Sequence, residues 1–183
     1  MVAVVDGPPG LLANASIAPF RATTYALSGG LTLTVMTPEE AAAFGDICAA
    51  IDPWLSYPFT SDQLTAFFTV EDPTAPRFTA RLSGELAGAL AIRRDWLRGP
   101  YIHMLAVAPK FQGGGAGSAL LSWVEAQSRA AGDRNLWIAV TDTNTGAQRL
   151  YARHGFVETA RLDGLVLDGR TEFLMRKRLY ASG

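Results

Sequence analysis

Between Leu105 and Gln127 the chain reads LAVAPKFQGGGAGSALLSWVEAQ: an apolar run, a proline, five small residues of which four are glycine, then a patterned helix. Glycine is costly to order and adds no side-chain packing. A run of it between a strand and a helix marks backbone that must stay uncovered. At about 100° per residue, Ala116, Leu120, Leu121 and Val124 share one face of that helix, and Ser118, Ser122, Glu125 and Arg129 the other. Its first turn exposes unpaired N–H groups where the glycines leave the backbone bare, which suits a phosphate or pyrophosphate. A connector that binds nothing is the alternative.

The rest of the chain reads as a strand, helices, a run of strands, and then helix, strand, helix, strand. LTLTVM (31–36) alternates β-branched residues as a strand does, and TPEEAAAF supplies Thr37 as N-cap, Pro38 at the first helical position and acids in the first turn. A second helix starts at Ser61 or Asp62. RFTARL, a turn at SGE and LAGALAIRR predict an antiparallel hairpin. YIHMLAVAP is a strand ended by Pro109, NLWIAV another, TGAQRLYARHG a helix stopped by Gly155, and TEFLMRKRL a last strand. This order suits a mixed α/β (α+β) sheet, not an all-parallel one. Residues 1–30 have no clear period and are expected to form an irregular extension able to pair with a sheet edge, followed by a single domain over 31–183.

With 49% hydrophobic residues and a net charge of −1, the chain reads as an ordinary globular protein. That near-neutral balance argues against a nucleic-acid partner, which usually wants a basic face. Cys48 is the single cysteine, which excludes an internal disulfide and a cysteine-rich metal site, and no metal is expected. The N-terminus makes a poor secretory signal and no stretch approaches a membrane span, so no membrane partner and a cytoplasmic location are expected by default. The excess of arginine over lysine is of the kind expected from a GC-rich bacterial genome.

Two familiar phosphate loops do not fit. A P-loop needs Lys followed by Ser or Thr after its last glycine, whereas Ser118 and Ala119 follow Gly117. The dinucleotide fingerprint, counted from Gly113, puts Ser118 at its last glycine and finds no acid near Trp137. A third pattern does fit. Gln112-x-x-Gly115-x-Gly117, between a strand and a helix, resembles the acetyl-CoA loop of the GNAT family of N-acetyltransferases. NTGAQRLYARHGF (Asn144 to Phe156) resembles the family's other signature, Asn-x-x-Ala-x-x-Leu-Tyr-x-x-x-Gly-Phe, position for position. One strand separates the two, as the family requires.

The resemblance implies a central, mostly antiparallel twisted sheet with a splayed parallel strand pair, flanked by helices. It implies acetyl-CoA as cosubstrate. The backbone of Gln112, Gly113, Gly114, Gly115, Ala116, Gly117 and Ser118 would cradle its pyrophosphate, and Leu105 and Val107 would pair with the pantetheine arm like an added half-strand. Asn144, Ala147 and Tyr151 complete the cofactor contacts; Asn144 also suits a helix cap. Transfer to an amine needs no covalent nucleophile, and no nucleophile motif surrounds Cys48. On their helix Asn144, Ala147, Leu150, Tyr151 and His154 share one face, with Arg149 and Arg153 pointing away. Tyr151 is therefore the expected acid for the leaving thiolate; a core tyrosine with a satisfied hydroxyl is its alternative. The Leu105 N–H is the expected oxyanion donor. His103, two residues before Leu105 and so expected on its side of the sheet, is the candidate base, with Glu39, Glu40 or a water chain in contention. His154 has no assigned role.

The acceptor is less legible. Trp54, Tyr57, Phe59 and Phe67 offer aromatic surface, and Asp52, Asp163 and Asp168 offer charge for a cationic amine. A small primary amine or amino-acid derivative is the expected acceptor, with a protein or peptide N-terminus next. A non-catalytic acyl-CoA-binding module is the reading from another class. Dimerisation is common in the family, so a homodimer is open to this chain.

Overall fold

The computed structural model describes residues 2–4 and 18–180. In chain order the elements are β1 (Val2–Val4), β2 (Thr24–Ala26), β3 (Leu31–Val35), α1 (Pro38–Ala49), α2 (Ser61–Thr69), β4 (Arg77–Leu82), β5 (Glu85–Trp96), β6 (Gly99–Val107), α3 (Ala116–Ala130), β7 (Asn135–Thr141), α4 (Thr145–Arg153), β8 (Val157–Asp163) and β9 (Thr171–Arg178). Local chemistry explains many boundaries. Thr37 and Glu40 form a reciprocal capping box on α1, with Pro38 in its first turn, and Thr60 and Gln63 do the same for α2. The β4–β5 hairpin turns on Ser83 and Gly84, both left-handed at φ 52° and 85°, the geometry that matches strand twist in a two-residue loop. Gly155, at φ 81°, ends α4 while the Phe156 N–H reaches back to the Tyr151 carbonyl.

Among the described residues the strands form one sheet in the order β1-β2-β3-β4-β5-β6-β7-β9-β8. Only β1–β2 and β6–β7 are parallel, so the sheet is mixed and mostly antiparallel. The β6–β7 pair touches only at Tyr101↔Trp137 and Ile102↔Ile138. Beyond those two rungs the strands part.

A bulge lies at that point. Ala91 pairs with Met104 and Ile92 with Ile102, leaving His103 without a partner on β5. An extra residue locally increases strand twist and bends the bulged strand, consistent with the parting of β6 from β7. It also resets the alternation of faces. Ile102 and Leu105 pack into one core cluster, with Leu90, Leu120 and Tyr151. Met104 packs into the other, with Phe44, Phe68 and Phe67. The His103 ring packs edge-on to Phe67. His103 is therefore on the α2 side and not, as its two-residue spacing from Leu105 suggested, on the same face as Leu105.

The two clusters occupy opposite faces of the sheet, one under α3 and α4, the other under α1 and α2. Each fully buried Leu or Ile, such as Leu90, Ile92 and Leu120, contributes about 1.5–3 kcal/mol. The described part of the expected extension joins the first cluster. Tyr25 and Phe20 pack edge-on to Trp123, with ring centroids 4.8 and 5.5 Å away, and the Phe20 N–H donates to the buried Gln127 side chain at 2.9 Å. Residues 5–17 lie outside the described residues. β8 was not expected as a strand. No helix among the described residues is long and apolar enough to cross a membrane.

Candidate active site

The opening between β6 and β7 creates a free backbone edge. The Ala108 N–H donates to the Ala87 carbonyl at 2.9 Å. By the period of an antiparallel ladder, Ala106 also turns its backbone toward β5, while Leu105 and Val107 turn theirs outward into the opening. The Val107 carbonyl accepts from the Gln112 side chain at 3.0 Å, so Val107 keeps only its N–H free there, and Leu105 both groups. Gln112 thereby ties the start of the glycine loop to the strand.

The loop itself is shaped by two left-handed residues, Gly113 at φ 76° and Gly115 at φ 90°, which an L side chain rarely adopts. Gly115 is the N-cap of α3 and supplies no side-chain cap, so the first N–H groups of the helix point outward unpaired. Gly117 serves another purpose. A Cβ there would lie 3.1 Å from the Leu150 side chain, so its absence lets α3 approach α4. A cavity of about 490 Å³ runs along this surface, lined by Leu105, Val107, Gln112, Gly113, Gly115, Ala116, Gly117, Ser118, Asn144, Ala147, Tyr151 and Arg153 among others. Of the expected cofactor residues only Gly114 does not line it. Arg153, expected to point away, does line it and adds positive charge beside the helix terminus.

α4 positions the remaining groups. The Asn144 side chain accepts from the Ala147 N–H at 3.1 Å and caps the helix. Tyr151 is buried on the inward face, and burial drives its hydroxyl well above the ordinary phenol range, so it stays protonated. No hydrogen bond to that hydroxyl occurs among the described residues. His154 contacts the Ser118 hydroxyl at 3.1 Å and so braces α4 against α3.

A second cavity, about 520 Å³, lies on the other side of Tyr151. Trp54, Tyr57, Phe59, Phe67, His103, Ile138 and Glu172 line it, and Pro53, Trp54, Leu105, Asn144 and Tyr151 line both cavities. The His103 ring sits 4.8 Å from Phe67 and 5.5 Å from Tyr101 between centroids. Burial, then the cations Arg93 and Arg77, lower its pKa, so it is neutral at neutral pH. The acids expected to face an amine do not line this cavity: Asp52 lines the first cavity, Asp163 bonds Thr171, and Asp168 lines neither. Glu172 is the acid that does, and Tyr57 donates to it. It escaped notice because pairing of β7 with β9, and a tyrosine 115 residues away in sequence, bring it there.

The other contenders have structural employment or lie elsewhere. Glu40 is buried in a network with Arg81, Thr79 and the Thr37 N–H, and neither it nor Glu39 lines the second cavity. Cys48 is fully buried, and burial pushes its thiol up to about 12, which leaves no thiolate for nucleophilic work.

A family model described as the Acetyltransferase (GNAT) family matches residues 38–156. An uncharacterized N-acetyltransferase of Mycobacterium tuberculosis is 31% identical over 121 residues, covering 66% of this chain and 70% of the relative. The aminoglycoside N(6')-acetyltransferase type 1 of Stenotrophomonas maltophilia is 30% identical over 143 residues, covering 72% and 89%. Among solved structures, a GNAT family acetyltransferase from Elizabethkingia anophelis with acetyl-CoA bound superposes with a TM-score of 0.64 at 19% identity, covering 82% of this chain and 99% of that one. That last likeness is one of fold.

Proposed function

Because the chain belongs to the acetyltransferase (GNAT) family, we propose that it transfers the acetyl group of acetyl-CoA directly to the primary amine of a small molecule. The observation that supports this reading is the junction: Leu105, Asn144 and Tyr151 line both the groove beside the glycine loop and the aromatic cavity, so the two meet at these residues. The relatives' names, one an N-acetyltransferase and one specific to an aminoglycoside, support an amine acceptor.

Acetyl-CoA supplies an activated thioester. The residues around it would do the rest. The backbone of Gln112 to Ser118, with the uncapped start of α3 and Arg153, suits a pyrophosphate. The free edge groups of Leu105 and Val107 suit the amides of the pantetheine arm. The Leu105 N–H would donate to the oxygen that becomes negative as the amine attacks. Tyr151, held protonated by burial, would give its proton to the departing thiolate. His103, neutral and at the cavity wall, would take the proton that the amine releases. No residue is acylated on this route.

The test is acetyl-CoA-dependent thiol release measured with and without a panel of primary amines. Release that requires an amine, with the matching amide as product, is expected. Release that is indifferent to the amine would overturn direct transfer.

A further inference from the structure

Glu172 has a burial cost that its surroundings offset only in part. It is only 6% exposed, and a carboxylate out of water without a counter-ion is strongly disfavoured. Among the described residues no lysine or arginine lines its cavity. Arg170, two residues before it, pairs instead with Asp142 at 3.7 Å. The Tyr57 hydroxyl is the group that donates to it, which orients the carboxylate without neutralising it. Burial, followed by repulsion from Asp142, accordingly raises its pKa against the lowering effect of Tyr57.

We infer that Glu172 is the counter-ion for the acceptor's ammonium group, and that the acceptor is a monocationic amine on an apolar body. This rests on the amine-acceptor reading above. The remaining walls argue the rest. Trp54, Phe59, Leu64, Phe67 and Ile138 face the cavity, a surface that rewards an aromatic or aliphatic body and leaves a second cation unpaired. Glu172 is the sole acid among the described residues lining it, so a polycationic sugar of the kind named for the Stenotrophomonas relative is poorly matched. A free α-amino acid is also disfavoured, because it brings its own carboxylate next to Glu172. Acetylation takes two protons from the bound ammonium, one to His103 to free the attacking lone pair and one that restores the proton Tyr151 gives to the thiolate, and it leaves a neutral amide, so the product loses the ion pair that held the substrate.

The experiment is isothermal titration, with saturating coenzyme A, of 2-phenylethylamine, 2-phenylethanol, phenylalanine and spermidine into the wild type and E172Q. In the wild type, 2-phenylethylamine is expected to bind at least about tenfold more tightly than each of the others, as for a charge-assisted contact. E172Q, with unchanged coenzyme A affinity, is expected to lose the preference for the amine over the alcohol. The inference is overturned if the wild type shows no binding of 2-phenylethylamine, if 2-phenylethanol, spermidine or phenylalanine binds as tightly, or if E172Q keeps the preference. The alcohol, acid and polyamine comparisons stand on the wild type alone, so they decide the matter even if E172Q does not fold. Failure of coenzyme A to bind would instead count against the transfer reading, while the amine titrations would still report on Glu172.

Discussion

The His103 imidazole stands edge-on to the Phe67 ring, 4.8 Å between centroids and 85° between planes, at the bulge of β6 where β5 leaves it unpaired. The bulge and the ring together aim a neutral imidazole into the aromatic cavity. Its pKa lies below the usual 6.5, through burial first and then Arg93 and Arg77. As the proton acceptor, His103 would work in its neutral form. Activity should therefore hold through neutral pH and fall only below the ordinary histidine range. His103→Gln is expected to reduce kcat/KM by about 100-fold and to flatten that acidic limb. A pH–rate profile checks both, and an unchanged limb retires His103.

Tyr151→Phe removes one oxygen from a buried ring and leaves its packing with Phe156 and the core in place. It is expected to lower kcat by about 10- to 100-fold with little change in acetyl-CoA affinity. Steady-state kinetics beside a binding titration separate the two. Equal losses in affinity and turnover would make Tyr151 a binding residue instead of the acid.

What was legible in the sequence was what is local in the chain. The glycine loop and the Asn144–Phe156 helix each bring their groups together within a dozen or so residues, so local spacing, with the family resemblance it carries, pointed to the loop, the cap and the inward tyrosine. Elements decided by distant partners were not legible. β8 is exposed or half-exposed along its length, so an edge strand of this kind shows no apolar alternation. Glu172 acquires its burial from Tyr57 and from neighbouring strands. The bulge at His103 depends on the register of β5, which no pattern within YIHML records. Phe20 and Tyr25 belong to the core only because Trp123 on a distant helix receives them.

Gly115 and Gly117 are glycines for different reasons, and substitution should separate them. Gly115→Val puts a branched side chain at φ 90°, where a Cβ meets nothing within 4 Å but stands in the groove. Backbone strain of about 1–2 kcal/mol and acetyl-CoA binding weakened at least about tenfold are expected. Gly117→Ala asks only that the flexible Leu150 side chain yield from 3.1 Å, and should affect binding less. Thermal melts and titrations of both variants check this, and the opposite ranking would argue against a backbone cradle at Gly115.

Glu40 is predicted to matter for stability and not for chemistry. Burial works against its charge, but the Thr37 N–H, Arg81 at 2.6 Å and Thr79 outweigh it, and its pKa is lowered. Such a group contributes stability that is present above its unfolded pKa and is lost as pH falls through the folded value. Because the Arg81 side chain is 36% exposed, Glu40→Gln is expected to cost about 2 kcal/mol at neutral pH and progressively less in acid. Denaturant titrations across pH measure it, with acetyl-CoA affinity unchanged.

The most direct measurement is calorimetric titration of the protein with acetyl-CoA, and in parallel with ATP and NADH. Saturable binding of acetyl-CoA, weakened by Gly115→Val and unmatched by the two nucleotides, is the predicted result. Absence of acetyl-CoA binding, or tighter binding of ATP or NADH, would contradict the assignment of the glycine loop and the chemistry built on it.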